Sequence, residues 1–247
     1  MIPSAHAQAR DNIRIGMIHQ PHFLPWLGYF ARCISADVFV VLDNVKFNRN
    51  HFQQRTKYID KNGSERWLGL PITRSTRSEN ISNVRIANSC NWTRWQQSLK
   101  NSYMHSQCFD RIWNDVYNII KKESPVLLNV NVSTLRYLLN LLCSTIKKDC
   151  PEIILASQLR VSSERTQRLI DICLSKNITH LIMGEFALNK HDCTQIQESG
   201  ISLLRHVYRG SSTKMPLAGI TILHDLFLYD SNVIANQLCN AWCIEGI

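Results

Sequence analysis

The sequence lacks the phosphate- and cofactor-binding patterns of several common enzyme classes. It has no GxxxxGK[ST] loop, no GxGxxG fingerprint and no GxSxG elbow. P-loop nucleotide hydrolases, dinucleotide-binding dehydrogenases and α/β-hydrolases therefore lose their sequence support. Internal repeats, linkers and low-complexity tracts are absent as well.

Long apolar runs and paired cysteines are also missing. No segment has the eighteen or so uncharged apolar residues of a membrane span, and residues 1–12 lack the continuous apolar stretch of a secretion signal. The nine cysteines are scattered, odd in number and without a CxxC pair. A reducing compartment explains such usage, so we expect a cytoplasmic protein with residues 1–12 as a flexible lead-in.

What is present is a basic chain long enough to bury a core. It has 247 residues, of which 45% are apolar, and 28 Lys and Arg against 19 Asp and Glu, a formal charge of +9. This excess predicts an anionic partner: a nucleic acid, a nucleotide-linked metabolite, a carrier protein or a membrane surface. Nucleic acid is disfavoured because the positive charges are dispersed and no recognised binding motif is present.

Apolar runs alternate with helical patterns at both ends of the chain. Residues 13–18 and 37–42 read as buried parallel strands around a helix at 28–36, and the strand–helix alternation returns after residue 150. Between them lie a basic hairpin at 46–72, a short strand at 84–87 and several amphipathic helices. We therefore predict one Rossmann-like α/β domain over residues 13–247, with a mostly parallel sheet and a helical insert at 92–148 between its two halves.

The first candidate site lies where the two N-terminal strands end. His19 follows a strand directly in a loop braced by Pro21 and Pro25, and its imidazole has the pKa range of a general base. Asp43 ends the second strand, from where it would orient His19 or bind a sugar hydroxyl. Structural readings stand beside these: a histidine bonded to its own loop, and an aspartate in an Asx turn.

Metal-ligand patterns are thin. His19 and His22 have HxxH spacing, but the loop offers no third ligand and is not a helix that would bring both rings to one face. His191-Asp192-Cys193 is no stronger, so no metal site is predicted. Cys239 and Cys243 have helical spacing and are expected to pack near the C-terminus.

Two further segments could hold a phosphate. Lys46, Arg49, Arg55 and Lys57 alternate with aromatic residues, as in surfaces that grip phosphates and stack bases, although a solvated hairpin has the same composition. Ser162 and Ser163 precede a predicted helix, whose free N–H groups favour anions. Simple N-capping accounts for these serines equally well.

Several motifs together resemble a known family. The run IGMIHQPHFLPWLGYFARCISADVFVVLDNVKF, followed by FQQRTKYIDKNGSERWLGLPI, VSSERTQRLIDICLSKNITHLIMGEFA and ITILHDLF, is similar to the pattern of the WbqC-like proteins. The resemblance extends from residue 13 to about residue 230. It departs from the family pattern at His22, where Asn is usual, and at Lys46, where Gln is usual.

The resemblance implies a role in O-antigen and other surface-polysaccharide biosynthesis, by transfer of an acyl or aminoacyl group to the amino group of a nucleotide-linked amino sugar. On this reading His19 and Asp43 are catalytic, no cofactor is tightly bound, and the donor is an acyl thioester of coenzyme A or an acyl carrier protein. The expected substrate-binding residues are Gln20, Trp26, Tyr29, Gln54, Arg55, Ser162, Ser163, Gly184 and Glu185. The alternatives are a nucleotidyltransferase, and a non-catalytic module that binds a carrier protein or nucleic acid.

Overall fold

The computed structural model describes residues 13–123, 125–209, 219–240 and 242–247, so the predicted lead-in lies outside the described residues. The strands in these ranges are β1 (Ile15–His19), β2 (Val38–Val41), β3 (Arg55–Ile59), β4 (Glu65–Gly69), β5 (Glu152–Leu155), β6 (His180–Met183), β7 (Ser202–Tyr208) and β8 (Trp242–Gly246). The α-helices are α1 (Leu27–Ile34), α2 (Trp92–Tyr103), α3 (Phe109–Glu123), α4 (Leu127–Ile146), α5 (Arg165–Ser175), α6 (Glu185–Leu188), α7 (Cys193–Glu198), α8 (Ile222–Leu228) and α9 (Ser231–Asn240).

The central sheet has six strands in the order β5–β2–β1–β6–β7–β8. The first five in this order are parallel, and β8 pairs antiparallel with β7 at one edge. The chain runs outward from β1 through β2 to β5 and then returns to place β6 on the other side of β1. The predicted Rossmann-like, mostly parallel sheet is confirmed, and its topological switch point lies between β1 and β6.

Both faces of the sheet are covered, which explains the apolar strands. All four residues of β2 are buried. Because side chains alternate along a strand, Phe39 and Val41 belong to the hydrophobic cluster on one face, and Val38 and Val40 to the cluster on the other. The first cluster includes α1 and the insert helices, and the second includes α5.

The predicted helical insert is confirmed, and it occupies the connection from β2 to β5. The β3–β4 hairpin comes first, and α2, α3 and α4 follow within residues 92–148. In α3 the buried residues Ile112, Val116 and Ile120 recur at four-residue spacing and form the face that packs on α4. None of the helices in the described part of the chain, α4 included, is long and apolar enough to cross a membrane.

The predicted strand at residues 84–87 is wrong. Arg85 forms a single bridge with Val126, and Ile86 forms one with Ile72. Because the two bridges go to different partners, no ladder of successive pairs develops.

The expected helical packing of Cys239 with Cys243 is also wrong. Helix α9 ends at Asn240, so Cys239 lies at its exposed end while Cys243 lies in β8. All nine cysteines are free thiols, and Cys33, Cys143 and Cys173 are buried.

Candidate functional site

The candidate site lies at the C-terminal end of the sheet, at the switch point. β1 ends at His19 and continues into the loop that begins with Gln20, while β6 ends at Met183 and continues into Gly184. The connections from these neighbouring strands run to opposite faces of the sheet, which leaves a crevice where ligands of open α/β proteins bind. The structure therefore brings two segments predicted from separate parts of the sequence to one edge.

His19 is held in one tautomer by the backbone. Its Nδ1–H donates to the carbonyl oxygen of Gln20, 2.9 Å away, because a carbonyl only accepts. Nε2 has no hydrogen-bond partner among the described residues and carries the lone pair. Burial, with the positive charge of Arg32 second, lowers the pKa of His19 from 6.5 to about 4. The ring is therefore neutral at physiological pH and presents a free acceptor.

Gln20 and Tyr29 fix the loop that carries His19. The hydroxyl of Tyr29 donates to the same carbonyl oxygen of Gln20 at 3.0 Å. The side-chain Oε1 of Gln20 accepts from Nε2 of Gln53 at 2.8 Å, and the backbone carbonyl of Gln53 accepts from the buried Asn131 of α4 at 2.8 Å. The insert thus positions the loop that carries His19.

An aromatic cluster forms one wall of the site. The ring of His22, which is 4% exposed, lies 5.3 Å from those of Trp26 and Tyr29 and 5.7 Å from that of Phe52. Burial is the largest cause of a pKa for His22 well below 6.5, so this ring too is uncharged. The cluster offers an apolar, ring-lined surface next to His19.

The expectation that the loop would keep His19 and His22 apart is wrong. Their ring centroids are 4.8 Å apart, with the planes nearly perpendicular. The rings therefore meet although the loop between them is not helical. Across the described ranges, no group of three or more His, Cys, Asp and Glu residues is placed to bind a metal ion.

Sequence reasoning missed Arg32 of α1, whose side chain reaches Gly184 at the end of β6. Its guanidinium nitrogens lie 3.3 and 3.4 Å from the position that a Cβ on Gly184 would occupy. Its Nε is buried without a partner, and no carboxylate in the described ranges forms an ion pair with it. A signal was present in the sequence, since Arg32 is the single charged residue in α1 and the other seven residues of that helix are buried.

His206 was missed as well. Its ring stacks on Trp242 of β8 at 4.6 Å with planes 9° apart, and neither of its nitrogens has a hydrogen-bond partner in the part of the chain that the structure describes. Burial, and then the charge of Arg32, lowers the pKa of His206 to about 4. Trp242 also packs against α1, 2.7 Å from the position that a Cβ on Gly28 would occupy. No sequence pattern links these residues. β7 and β8 are brought to the same sheet as β1 only by the order in which the strands pair.

Asp43 does not orient His19. Its carboxylate is fully buried and accepts from the backbone N–H and the hydroxyl of Ser157, at 2.8 and 2.6 Å. The bonds tie the end of β2 to the turn after β5, and the imidazole is oriented by the carbonyl of Gln20 instead. The contacts of Asp43 are therefore structural, and the prediction that it aligns the base is corrected.

Gln54 and Arg55 lie on the hairpin side of the aromatic cluster. The guanidinium of Arg55 stacks over the ring of Trp67 at 4.0 Å, and that ring lies 5.4 Å from Phe52. Nε2 of Gln54 donates to the carbonyl of Leu70 at 3.3 Å. Arg55 therefore adjoins the aromatic cluster through Trp67, and Gln54 is held by the backbone. The contacts of these two side chains within the described residues do not include His19.

The predicted N-cap of α5 is wrong. The cap is Glu164, whose carboxylate accepts from the backbone N–H groups of Thr166 and Gln167. These bonds lower the pKa of Glu164, so a negative charge already occupies the helix N-terminus. Ser162 and Ser163 precede it and therefore do not expose those N–H groups to a ligand.

Glu185 follows Gly184 at the start of α6. Its side chain is 72% exposed. Its carboxylate lies 3.6 Å from Nε of Arg205, a residue of the neighbouring strand β7. An ion pair this exposed contributes little to stability. The same exposure leaves the carboxylate of Glu185 accessible to solvent.

The fold and the site define a class of protein: a Rossmann-like α/β protein with a histidine-bearing loop at the switch point of its sheet. The model of the WbqC-like protein family matches residues 20–213. The match covers most of the chain, and the protein belongs to this family.

The chain is also similar to the "Uncharacterized protein Rv1507c" of Mycobacterium tuberculosis (strain ATCC 25618 / H37Rv). The two are 22% identical over 196 residues, which are 78% of this chain and 82% of that protein. No solved structure matches the chain significantly.

Proposed function

We propose that the protein is an acyl- or aminoacyltransferase that modifies the amino group of a nucleotide-linked amino sugar in surface-polysaccharide biosynthesis. One observation carries the proposal. At the switch point, the neutral His19 presents a free Nε2, and its ring lies within the electrostatic influence of Arg32, a cation without a carboxylate partner among the described residues. When an amine attacks a carbonyl group, a base accepts the proton of the amine and a cation stabilises the negative charge on the carbonyl oxygen.

The reaction is a direct displacement on a thioester. The amine nitrogen bonds to the thioester carbonyl carbon, and the carbonyl oxygen gains negative charge that the guanidinium of Arg32 stabilises. The attacking nitrogen becomes acidic as this bond forms and passes a proton to Nε2 of His19. The C–S bond then breaks, and the imidazolium returns the proton to the departing thiolate. Amine and thioester become amide and thiol.

The pKa of His19 sets one condition on the acceptor. With a pKa of about 4, the imidazole is too weak a base to deprotonate an ammonium ion. The amino sugar therefore enters as the uncharged amine, and His19 takes its proton only after the C–N bond begins to form.

The cysteines favour direct transfer over an acyl-enzyme. Burial raises the pKa of the Cys33 thiol, whose Sγ lies 3.6 Å from Sδ of Met17, so it is a poor nucleophile. The Sγ of Cys193 donates to the carbonyl of Leu188. The formal charge of +9 supports anionic partners, namely the nucleotide sugar and coenzyme A or an acidic acyl carrier protein.

The test is a transfer assay with the purified full-length protein. Nucleotide-linked amino sugars are paired with acyl and aminoacyl thioesters of coenzyme A and acyl carrier protein, and mass spectrometry detects the amide product. His19→Ala is expected to lose at least about a hundredfold in rate, since a positioned base contributes about that much. His105→Ala, at an exposed histidine between α2 and α3, is the matched control.

The other outcomes separate the alternatives. Pyrophosphate release from ATP or CTP without acyl transfer would support a nucleotidyltransferase instead. Strongly salt-dependent RNA binding without turnover would support a non-catalytic module. An active His19→Ala variant would overturn the mechanism.

A further inference from the structure

A second concave surface lies beside the site, and it is lined by arginines. It encloses about 650 Å³ between the loop that follows β2 and the segments that precede α2. Its four cationic lining residues, which together define the arginine groove, are Arg49, Arg74, Arg77 and Arg85. No Asp or Glu is among the lining residues.

The four charges are not neutralised by the described part of the protein. None of the arginines forms an ion pair in the described ranges. Arg77 donates to the carbonyl of Ile72 at 3.4 Å, which leaves its charge uncompensated. Four like charges around one concavity repel each other, and an anion bound between them removes that repulsion.

The chemistry of the lining points to phosphate. Guanidinium groups present paired N–H donors that match two oxygens of a phosphate, and several of them favour a ligand with more than one negative charge. Neutral hydrogen-bonding side chains, Asn50, Gln54 and Thr73 among them, complete the lining. The volume falls in the range of pockets that bind nucleotide-sized molecules.

The loop after β2 joins the arginine groove to the His19 site. Arg49 and Asn50 line the groove. The next two residues, His51 and Phe52, have ring centroids 5.9 and 5.7 Å from that of His22. One short segment therefore borders both surfaces, so a single extended ligand, or a donor and an acceptor side by side, has a route to each.

We propose that the arginine groove binds the diphosphate of an organic diphosphate substrate. Resting on the proposed function, this diphosphate belongs either to the nucleotide-linked amino sugar or to coenzyme A, both of which contain that group. The groove thus replaces Arg55, Ser162 and Ser163 as the predicted diphosphate site. Arg55 stacks on Trp67, and the helix start after the serines is capped by Glu164.

The test is calorimetric titration of the full-length protein with inorganic pyrophosphate, UDP and coenzyme A. Arg74→Gln and Arg85→Gln are each expected to weaken pyrophosphate binding by about tenfold, the effect of losing one charged hydrogen bond, and the double variant is expected to bind more weakly than either single variant. Arg94→Gln, which removes an exposed charge from α2 outside the groove, should bind like the wild type. UDP binding identifies the nucleotide sugar as the source, and preferential coenzyme A binding identifies the donor.

The outcomes distinguish this proposal from the proposed function. No binding of any of the three probes, or unchanged binding by both single variants, would overturn the groove. His19→Ala should still bind pyrophosphate like the wild type. If no acyl transfer is found but the groove variants lose binding, the groove stands and the transferase proposal falls. If transfer occurs and the groove variants bind normally, the transferase proposal stands and the groove proposal falls.

Discussion

His19 and Tyr29 share one acceptor: the carbonyl oxygen of Gln20 receives the Nδ1–H of the first at 2.9 Å and the hydroxyl of the second at 3.0 Å. The rings lie 5.1 Å apart, edge to face. A single backbone oxygen thus sets both the tautomer of the candidate base and the position of the buried tyrosine against it.

Tyr29→Phe tests how far this shared acceptor depends on the tyrosine. The variant removes one hydrogen bond, which we expect to lower the free energy of unfolding by about 1 kcal/mol. Transfer should fall less than tenfold, because the carbonyl still accepts from His19. Urea unfolding measures the free energy of unfolding, and the transfer assay measures the rate. A loss as large as that of His19→Ala would instead make the Tyr29 hydroxyl a proton donor in the reaction.

Arg32→Met separates stability from activity. Nε of Arg32 is buried without a partner among the described residues, so an apolar side chain of similar length should raise the free energy of unfolding by about 1 kcal/mol. The same change removes the cation beside the reacting carbonyl and should abolish most transfer. It should also raise the pKa of His19, since Arg32 lowers it. NMR titration measures that shift; a variant that is less stable yet fully active contradicts this assignment.

Asp43→Ala should behave in the opposite way. It leaves the N–H and hydroxyl of Ser157 without their acceptor, which we expect to cost about 1–3 kcal/mol of unfolding free energy. The transfer rate per folded molecule should change little, because Asp43 does not contact His19. Ser157→Ala, which removes only the hydroxyl partner, is the matched and milder control. Normal stability with lost activity would restore the catalytic reading of Asp43.

Stability should fall in mild acid because of the buried histidines. The pKa of His206 is about 4 in the folded protein, against 6.5 for an exposed histidine, and His19 is similar. Between pH 6.5 and 4 these two histidines therefore bind more protons in the unfolded chain than in the folded one. The contribution of these two histidines to the free energy of unfolding is largest above pH 6.5, decreases toward pH 4 and levels off below it, while the partly buried Asp225, whose pKa is raised to about 7, acts in the opposite direction.

His206→Phe tests the origin of this slope. The substitution keeps a ring against Trp242 and removes a titrating group, so the decrease between pH 6.5 and 4 should become shallower. Denaturant unfolding at several pH values measures it, with His105→Ala as the control. An unchanged slope would show that His206 does not contribute.

The sequence predicted the local parts of the site well. The Val-rich run of β2, the proline-braced loop after His19 and the alternating C-terminal half are patterns of neighbouring residues, and each folds as its pattern indicates. The predictions were wrong where a side chain has one candidate partner close in the sequence and binds another that is distant in the sequence. Asp43 was judged by its closeness to the first loop, but Ser157, 114 residues away in the chain, holds it.

What the sequence by itself determined is the parallel α/β class, the helical insert and the place of His19 at a strand end, because these depend on hydrophobic period and on proline. Only the tertiary structure decided that Arg32 faces Gly184, that His206 stacks on Trp242, and that four arginines from three segments of the chain line one groove. The physical reason is that such contacts follow from strand order and from the packing of the insert. Residues far apart in the chain meet there, and no local pattern records the meeting.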